Sequence, residues 1–252
     1  MRALVVVVGL LFAWLPSRAE ARPSKRPSKQ EHGTPQRGKP ARVAVAKPVP
    51  KPFGQSVGAP WSGKLRDASK LPEAKRYHLR RPHRTFGTRT TVEHTRRALV
   101  DTLAQFPKIH DLAVGDLSSP RGGWISEHNS HQSGRDVDLG LFYKQRPAGY
   151  PARFVDATEN TLHVAATWAL ISNLASTQDR DGGIHIMFLD FELQGVIYRW
   201  AQENGVSTKR LDRVFQYPHG RGASAGLIRH EPNHANHLHV RFRCAAADRG
   251  CR

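Results

Sequence analysis

The sequence predicts an α+β fold. Two observations carry this. Three segments repeat apolar residues at helical spacing, while others alternate polar and apolar residues with period two. The helices and strands also follow one another without a regular βαβ rhythm, which favours α+β over α/β.

The chain has 252 residues and opens with "MRALVVVVGLLFAWLPSRAEA". Arg2 precedes an apolar run over residues 3–15, which is short for a bilayer span of about 20 residues. Ala19-Glu20-Ala21 fits a small-x-small cleavage site, with Ser17-Arg18-Ala19 as the nearby alternative. Residues 1–21 are therefore read as a secretory signal peptide, and an uncleaved anchor is the competing reading. Residues 22–55 are rich in Lys, Arg and Pro and read as a disordered basic linker, too poor in apolar residues to offset chain entropy. Residues 56–252 remain for one domain with a sizeable core.

Within that domain, residues 90–106 read as a helix, with Thr90 and Glu93 in a capping-box pattern and Pro107 beyond its end. Residues 111–118 read as a strand running into the turn "SSPRGG". Residues 158–176 read as a second helix, 183–190 as a strand and 191–205 as a third helix closed by Gly205. Two further strands matter most. In "RDVDLGLFY", Asp136, Asp138, Gly140 and Phe142 share one face; in "HLHVRFRC", His237, His239, Arg241 and Arg243 do. The opposite face of each is apolar.

Six of the fourteen histidines fall in two short windows: His128 and His131, then His230, His234, His237 and His239. Such clustering points to a metal or a proton-transfer site. Catalytic zinc takes three protein ligands of imidazole and carboxylate type and keeps one position open. His131, Asp138 and His239 supply that set only if the two polar strand faces are neighbours. Asp136 shares Asp138's face and either orients a ligand or stabilises the turn before the strand.

On these residues the chain resembles the penicillin-insensitive murein endopeptidases, within the broader group of zinc peptidases that includes lysostaphin-type and D-Ala-D-Ala-cleaving enzymes. "GDLSSPRGGWISEHNSHQSGRDVDLGLFY" and "HANHLHVRFRC" carry the likeness, which runs from about residue 55 to 244. It implies a compact catalytic domain around a small, mostly antiparallel sheet. It also implies one zinc ion on His131, Asp138 and His239, with His128, His234 and His237 lining the site. The implied reaction is hydrolysis of D-alanyl to meso-diaminopimelyl cross-links in peptidoglycan. The family's better-known members carry several disulfides; here Cys244 and Cys251 are the whole complement, and in an exported chain they are expected to pair. No clear counterpart of a second metal site is visible, His163 being the nearest residue.

For the proton-transfer role His237 comes first, as it shares the His239 face; His234 follows closely and Glu231 is third. Arg121, beside Gly122 and Gly123, either offers a fork for substrate carboxylates or belongs to a simple loop. The net charge of +18 favours anionic polymers, and export directs this to cell-wall material in the periplasm rather than nucleic acid. Base-stacking aromatics are also sparse in the linker, which holds only Phe53. No stable membrane insertion is expected after signal cleavage. The rival readings are a D-Ala-D-Ala carboxypeptidase or other wall peptidase using the same site, and a noncatalytic, metal-stabilised wall-binding protein.

Overall fold

A computed structural model describes residues 54–252; the expectations for residues 1–53, signal peptide and linker alike, lie outside the described residues. The first strands are β1 (Gln55–Ala59), β2 (Ser62–Arg66), β3 (Ser69–Lys70), β4 (Tyr77–Leu79) and β5 (Phe86–Gly87). Helix α1 (Arg89–Gln105) is followed by β6 (Leu112–Val114) and β7 (Asp136–Gly140). Then come α2 (Val164–Ala175), β8 (Ile184–Phe188), α3 (Phe191–Glu203) and α4 (Thr208–Val214). The chain closes with β9 (Ile228–Arg229), β10 (His237–Phe242) and β11 (Gly250–Cys251). The fold is α+β, as the element order predicts.

A six-stranded sheet, ordered β4-β6-β7-β10-β8-β9, forms the centre. Its middle pairings are antiparallel, but β4–β6 and β8–β9 at the two edges are parallel. The sheet is therefore mostly antiparallel, as expected, but not wholly so: the edge pairs are parallel because the chain crosses over through α1 between β4 and β6 and through α3 and α4 between β8 and β9. Val137, Leu139, Leu238 and Val240 are completely buried in one core cluster with Leu99 of α1, Ile171 of α2 and Ile197 of α3. Each such side chain contributes about 1.5–3 kcal/mol. With the helices taking the apolar face, the polar face of β7 and β10 is left for the site.

The helix ends correct the sequence reading. The N-cap of α1 is Thr88, whose hydroxyl accepts from the Thr91 amide, and Glu93 instead pairs with Arg89 one turn away at 2.7 Å. Thr90 therefore does not form the expected capping box. Helix α2 starts at Val164 because Thr161 and Leu162 bond back to the Thr158 carbonyl, making a separate turn. His163 then caps α2 by accepting from the Ala166 amide, and this gives it a structural role. Gly205 does sit just past α3, at φ +82°.

A smaller sheet, β11-β1-β2, stands beside the large one. The Cys244–Cys251 disulfide forms as expected and ties the end of β10 to β11, which pairs in parallel with β1.

Candidate metal centre

Strands β7 and β10 are antiparallel neighbours, with His239 opposite Asp138, Arg241 opposite Asp136 and His237 opposite Gly140. The juxtaposition that the three-ligand reading requires is therefore present. Asp136 and Asp138 are buried at 0% and 2% exposure, and buried carboxylates demand partners.

His131 reaches the site from the loop before β7. Its backbone is left-handed, at φ +65°, and its amide donates to Asp136 Oδ2 at 2.9 Å. Its Nδ1 donates to the Leu117 carbonyl at 2.8 Å, which turns the Nε2 lone pair inward. That Nε2 lies 3.3 Å from His239 Nδ1 and 3.4 Å from Asp138 Oδ1. His239 Nδ1 and Asp138 Oδ1 are 3.0 Å apart. Zinc bonds of about 2.0–2.1 Å in a tetrahedral shell separate neighbouring donors by about 3.3 Å. The three atoms thus have the chemistry and nearly the spacing of one face of such a shell.

Asp136 sits behind this triangle. Its Oδ1 accepts from Arg241 Nε at 2.7 Å and lies 3.4 Å from His239 Nε2, a buried nitrogen with no well-formed hydrogen bond. Burial opposes ionisation of Asp136, yet His239, His131 and Arg241 hold its carboxyl well below the usual range. Burial likewise opposes ionisation of Asp138, and His131, His239 and His237 hold it down. His239 shows the reciprocal effect. Burial works against its imidazolium, but Asp136 and Asp138 raise it to about 9. The two carboxylates create a position that attracts a cation.

His128 stands closer than the sequence reading suggests. One ligand atom from each of His128, His131 and Asp138 falls within 4.8 Å of the others. Its Nδ1 is 3.8 Å from Asp138 Oδ2, while its Nε2 bonds Asp116 Oδ2 at 2.9 Å. Asp116 was not singled out from sequence. It is fully buried and also takes Arg81 at 2.8 Å and Arg84 at 3.0 Å. An acid inside the apolar run "LAVGDL" is the signal that could have found it, since such a charge must be paired.

His237 and His234 both line the cleft, and burial is the first cause that lowers each, His237 to about 4. His237 is held on three sides. Its Nδ1 donates to Asn236 Oδ1 at 2.6 Å, and Asn236 in turn donates to Asp156 at 2.9 Å. Its ring stacks on Phe154 at 4.9 Å with 8° between the planes. Its Nε2 is 3.7 Å from Asp138 Oδ1, facing the site. His234 has its Nδ1 on the Pro232 carbonyl at 2.8 Å and its ring 4.7 Å from that of His237.

The residues open into a cleft of about 750 Å³ whose walls include Trp61, Arg80, Phe154 and Arg241. Glu231 is on its exposed rim. Arg121 is not on the cleft wall. It lies exposed in the turn after Pro120, and its carbonyl accepts from the Leu65 amide, so its backbone is used to join β2 to the loop. His230 is held away from the centre by Arg221 and the Phe191 amide, and Arg243 lies exposed past the end of β10.

A family model described as penicillin-insensitive murein endopeptidase matches residues 56–180, a stretch that contains His128, His131, Asp136 and Asp138. The chain is also 28% identical, over 209 residues, to a protein of Yersinia enterocolitica serotype O:8 / biotype 1B named "Penicillin-insensitive murein endopeptidase". The aligned part covers 78% of this chain and 69% of that protein.

Proposed function

The chain belongs to the penicillin-insensitive murein endopeptidase family, and from that premise we propose that it is an exported, zinc-dependent peptidase of the periplasm. In this reading it hydrolyses the D-alanyl to meso-diaminopimelyl cross-links of peptidoglycan. The observation that carries the proposal is the triangle of His131 Nε2, Asp138 Oδ1 and His239 Nδ1, with edges of 3.0–3.4 Å, two of whose residues, Asp138 and His239, line an open cleft. These three residues would hold one zinc ion, with His128 beside them. Zinc there supplies a Lewis acid for the scissile carbonyl and makes water acidic enough to be deprotonated near neutral pH.

The protein's own part follows from the side chains. Asp136 holds the His131 backbone by a hydrogen bond and faces His239 Nε2 at 3.4 Å. His237, kept neutral by burial and oriented by Asn236, takes the proton from the attacking water and returns it to the leaving amine. Stacking on Phe154 limits rotation of its ring. The reading of residues 1–21 as a signal peptide supports export. Among the described residues no helix is long and apolar enough to cross a membrane.

The test uses purified cross-linked sacculi, with product masses, beside uncross-linked stem peptides. His237→Ala should keep about one zinc per chain and lose on the order of 10²-fold in cross-link cleavage. His239→Ala should lose both metal and activity. Release of terminal D-alanine alone would favour the carboxypeptidase reading, and zinc binding without any cleavage would favour a wall-binding protein.

A further inference from the structure

The arginines of the cleft are not equivalent. Arg81 is paired with Asp116 and Glu127, and Arg241 with Asp136. Arg80, which follows β4 on the same wall, has no carboxylate partner among the described residues, though its side chain is half-buried. Its Nε donates to the Ala152 carbonyl at 3.1 Å, and its guanidinium lies over the Phe154 ring at 4.2 Å. Phe154 is the same ring that stacks on His237. It fits there because Gly115 has no side chain: a Cβ at that position would come within 2.7 Å of Phe154 Cζ. The guanidinium is therefore held against the ring that also carries the proposed base, with no ion pair to a described carboxylate. Arg153, exposed on the same wall with its guanidinium on the Ala148 carbonyl, adds a second positive charge.

A fixed guanidinium stacked on an aromatic ring presents a planar fork that matches a carboxylate. Leaving such a cation half-buried and unpaired is unfavourable unless a ligand supplies the anion. We infer that Arg80, assisted by Arg153, forms a carboxylate-binding subsite on the leaving-group side of the cleft. It recognises a peptide whose departing residue carries a carboxylate next to its amine. The placement is consistent in reach: the amine must come within hydrogen-bond distance of His237, and Arg80 and His237 contact the same ring. A diaminopimelyl residue linked through one amine has a carboxylate in that position. Arg80 thus takes the role that the sequence suggested for Arg121. The inference rests on the murein-peptidase reading and adds to it the feature of the substrate that is read.

The experiment compares two cross-linked muropeptide dimers, identical except that the carboxyl beside the scissile amine is free in one and a carboxamide in the other. The zinc-loaded wild type should cleave the free acid about tenfold to a hundredfold more efficiently in kcat/KM, mainly through KM. In Arg80→Gln that preference should fall to within about threefold. Arg80→Lys, which keeps the charge but not the fork, should lie between them, and zinc content and circular dichroism confirm that each variant is folded. Retention of the full preference in Arg80→Gln overturns the subsite. So does equal cleavage of both dimers by the wild type, in which case the murein reading still stands. If the wild type cleaves neither dimer, the murein reading fails and the subsite fails with it.

Discussion

Replacing Asp136 by Asn tests how the centre is held without touching a proposed ligand. The exchange preserves shape and removes one charge and one acceptor. In the native protein Oδ2 accepts the His131 amide at 2.9 Å and Oδ1 accepts Arg241 at 2.7 Å. An asparagine can keep only one of these, because its NH₂ must then face the other donor. Hydrogen bonds to a charged group contribute about 1.5–3 kcal/mol each, against about 1 kcal/mol for neutral ones. Losing one and weakening the other should cost about 3–4 kcal/mol in folding stability. The His131 bond has a second consequence. A left-handed backbone costs about 1–2 kcal/mol at a residue with a Cβ, and the Asp136 contact helps to hold His131 there. Its ring and that of His239 should both become less well oriented, for a drop of about 10–100-fold in zinc affinity. Urea unfolding of the metal-free protein measures the first quantity, and competition with a chromogenic chelator measures the second. An Asp136→Asn protein that binds zinc within twofold of wild type would refute the claim that this carboxylate organises the ligands.

Gly115→Ala should reduce cross-link cleavage by about tenfold or more, because the added methyl meets Phe154 Cζ at 2.7 Å and Asp138 Cβ at 3.0 Å and so disturbs both the ring under His237 and a proposed ligand; steady-state kinetics beside metal analysis checks this. Removing the disulfide as Cys244→Ser with Cys251→Ser should lower stability by about 2.5 kcal/mol, since the closed loop is short, and denaturant melts read the change. Zinc binding at pH 7 should release about one proton, as His239 is raised to about 9 and metal must displace its proton. Affinity should therefore rise about tenfold per pH unit up to about pH 9 and then level, and calorimetry in buffers of different ionisation enthalpy would detect the proton.

The site was legible in the sequence where regular structure made it so. Period-two alternation put Asp136 with Asp138 and His237 with His239, and β-pairing then needed only to set one register to bring His239 opposite Asp138. Loop geometry was not legible. Nothing in "HNSHQSG" announces that His131 is left-handed or that its Nδ1 is tied to Leu117. The setting of His237 was hidden for another reason. Phe154 and Asp156 come from a segment about 80 residues away with no periodic pattern, and the contact with Asn236 exists only after folding. Arg121 and Arg80 show the same limit from the other side. Both are arginines near glycine or proline in sequence, and only the folded chain distinguishes the one on the cleft wall from the one on a turn.

The pairing of β7 with β10 at the middle of the six-stranded sheet bears on how a metal would come and go. Both strands are flanked by neighbours, so their amides should exchange with solvent only through the largest unfolding events. Two of the three donors, Asp138 and His239, ride on those strands, whereas His131 hangs from a loop. The first opening motion should accordingly detach one donor and leave two in place. Exit of the ion would then be a stepwise event paced by the 128–134 loop, far faster than denaturation, and deuterium uptake in that loop should track the rate at which a chelator strips the protein.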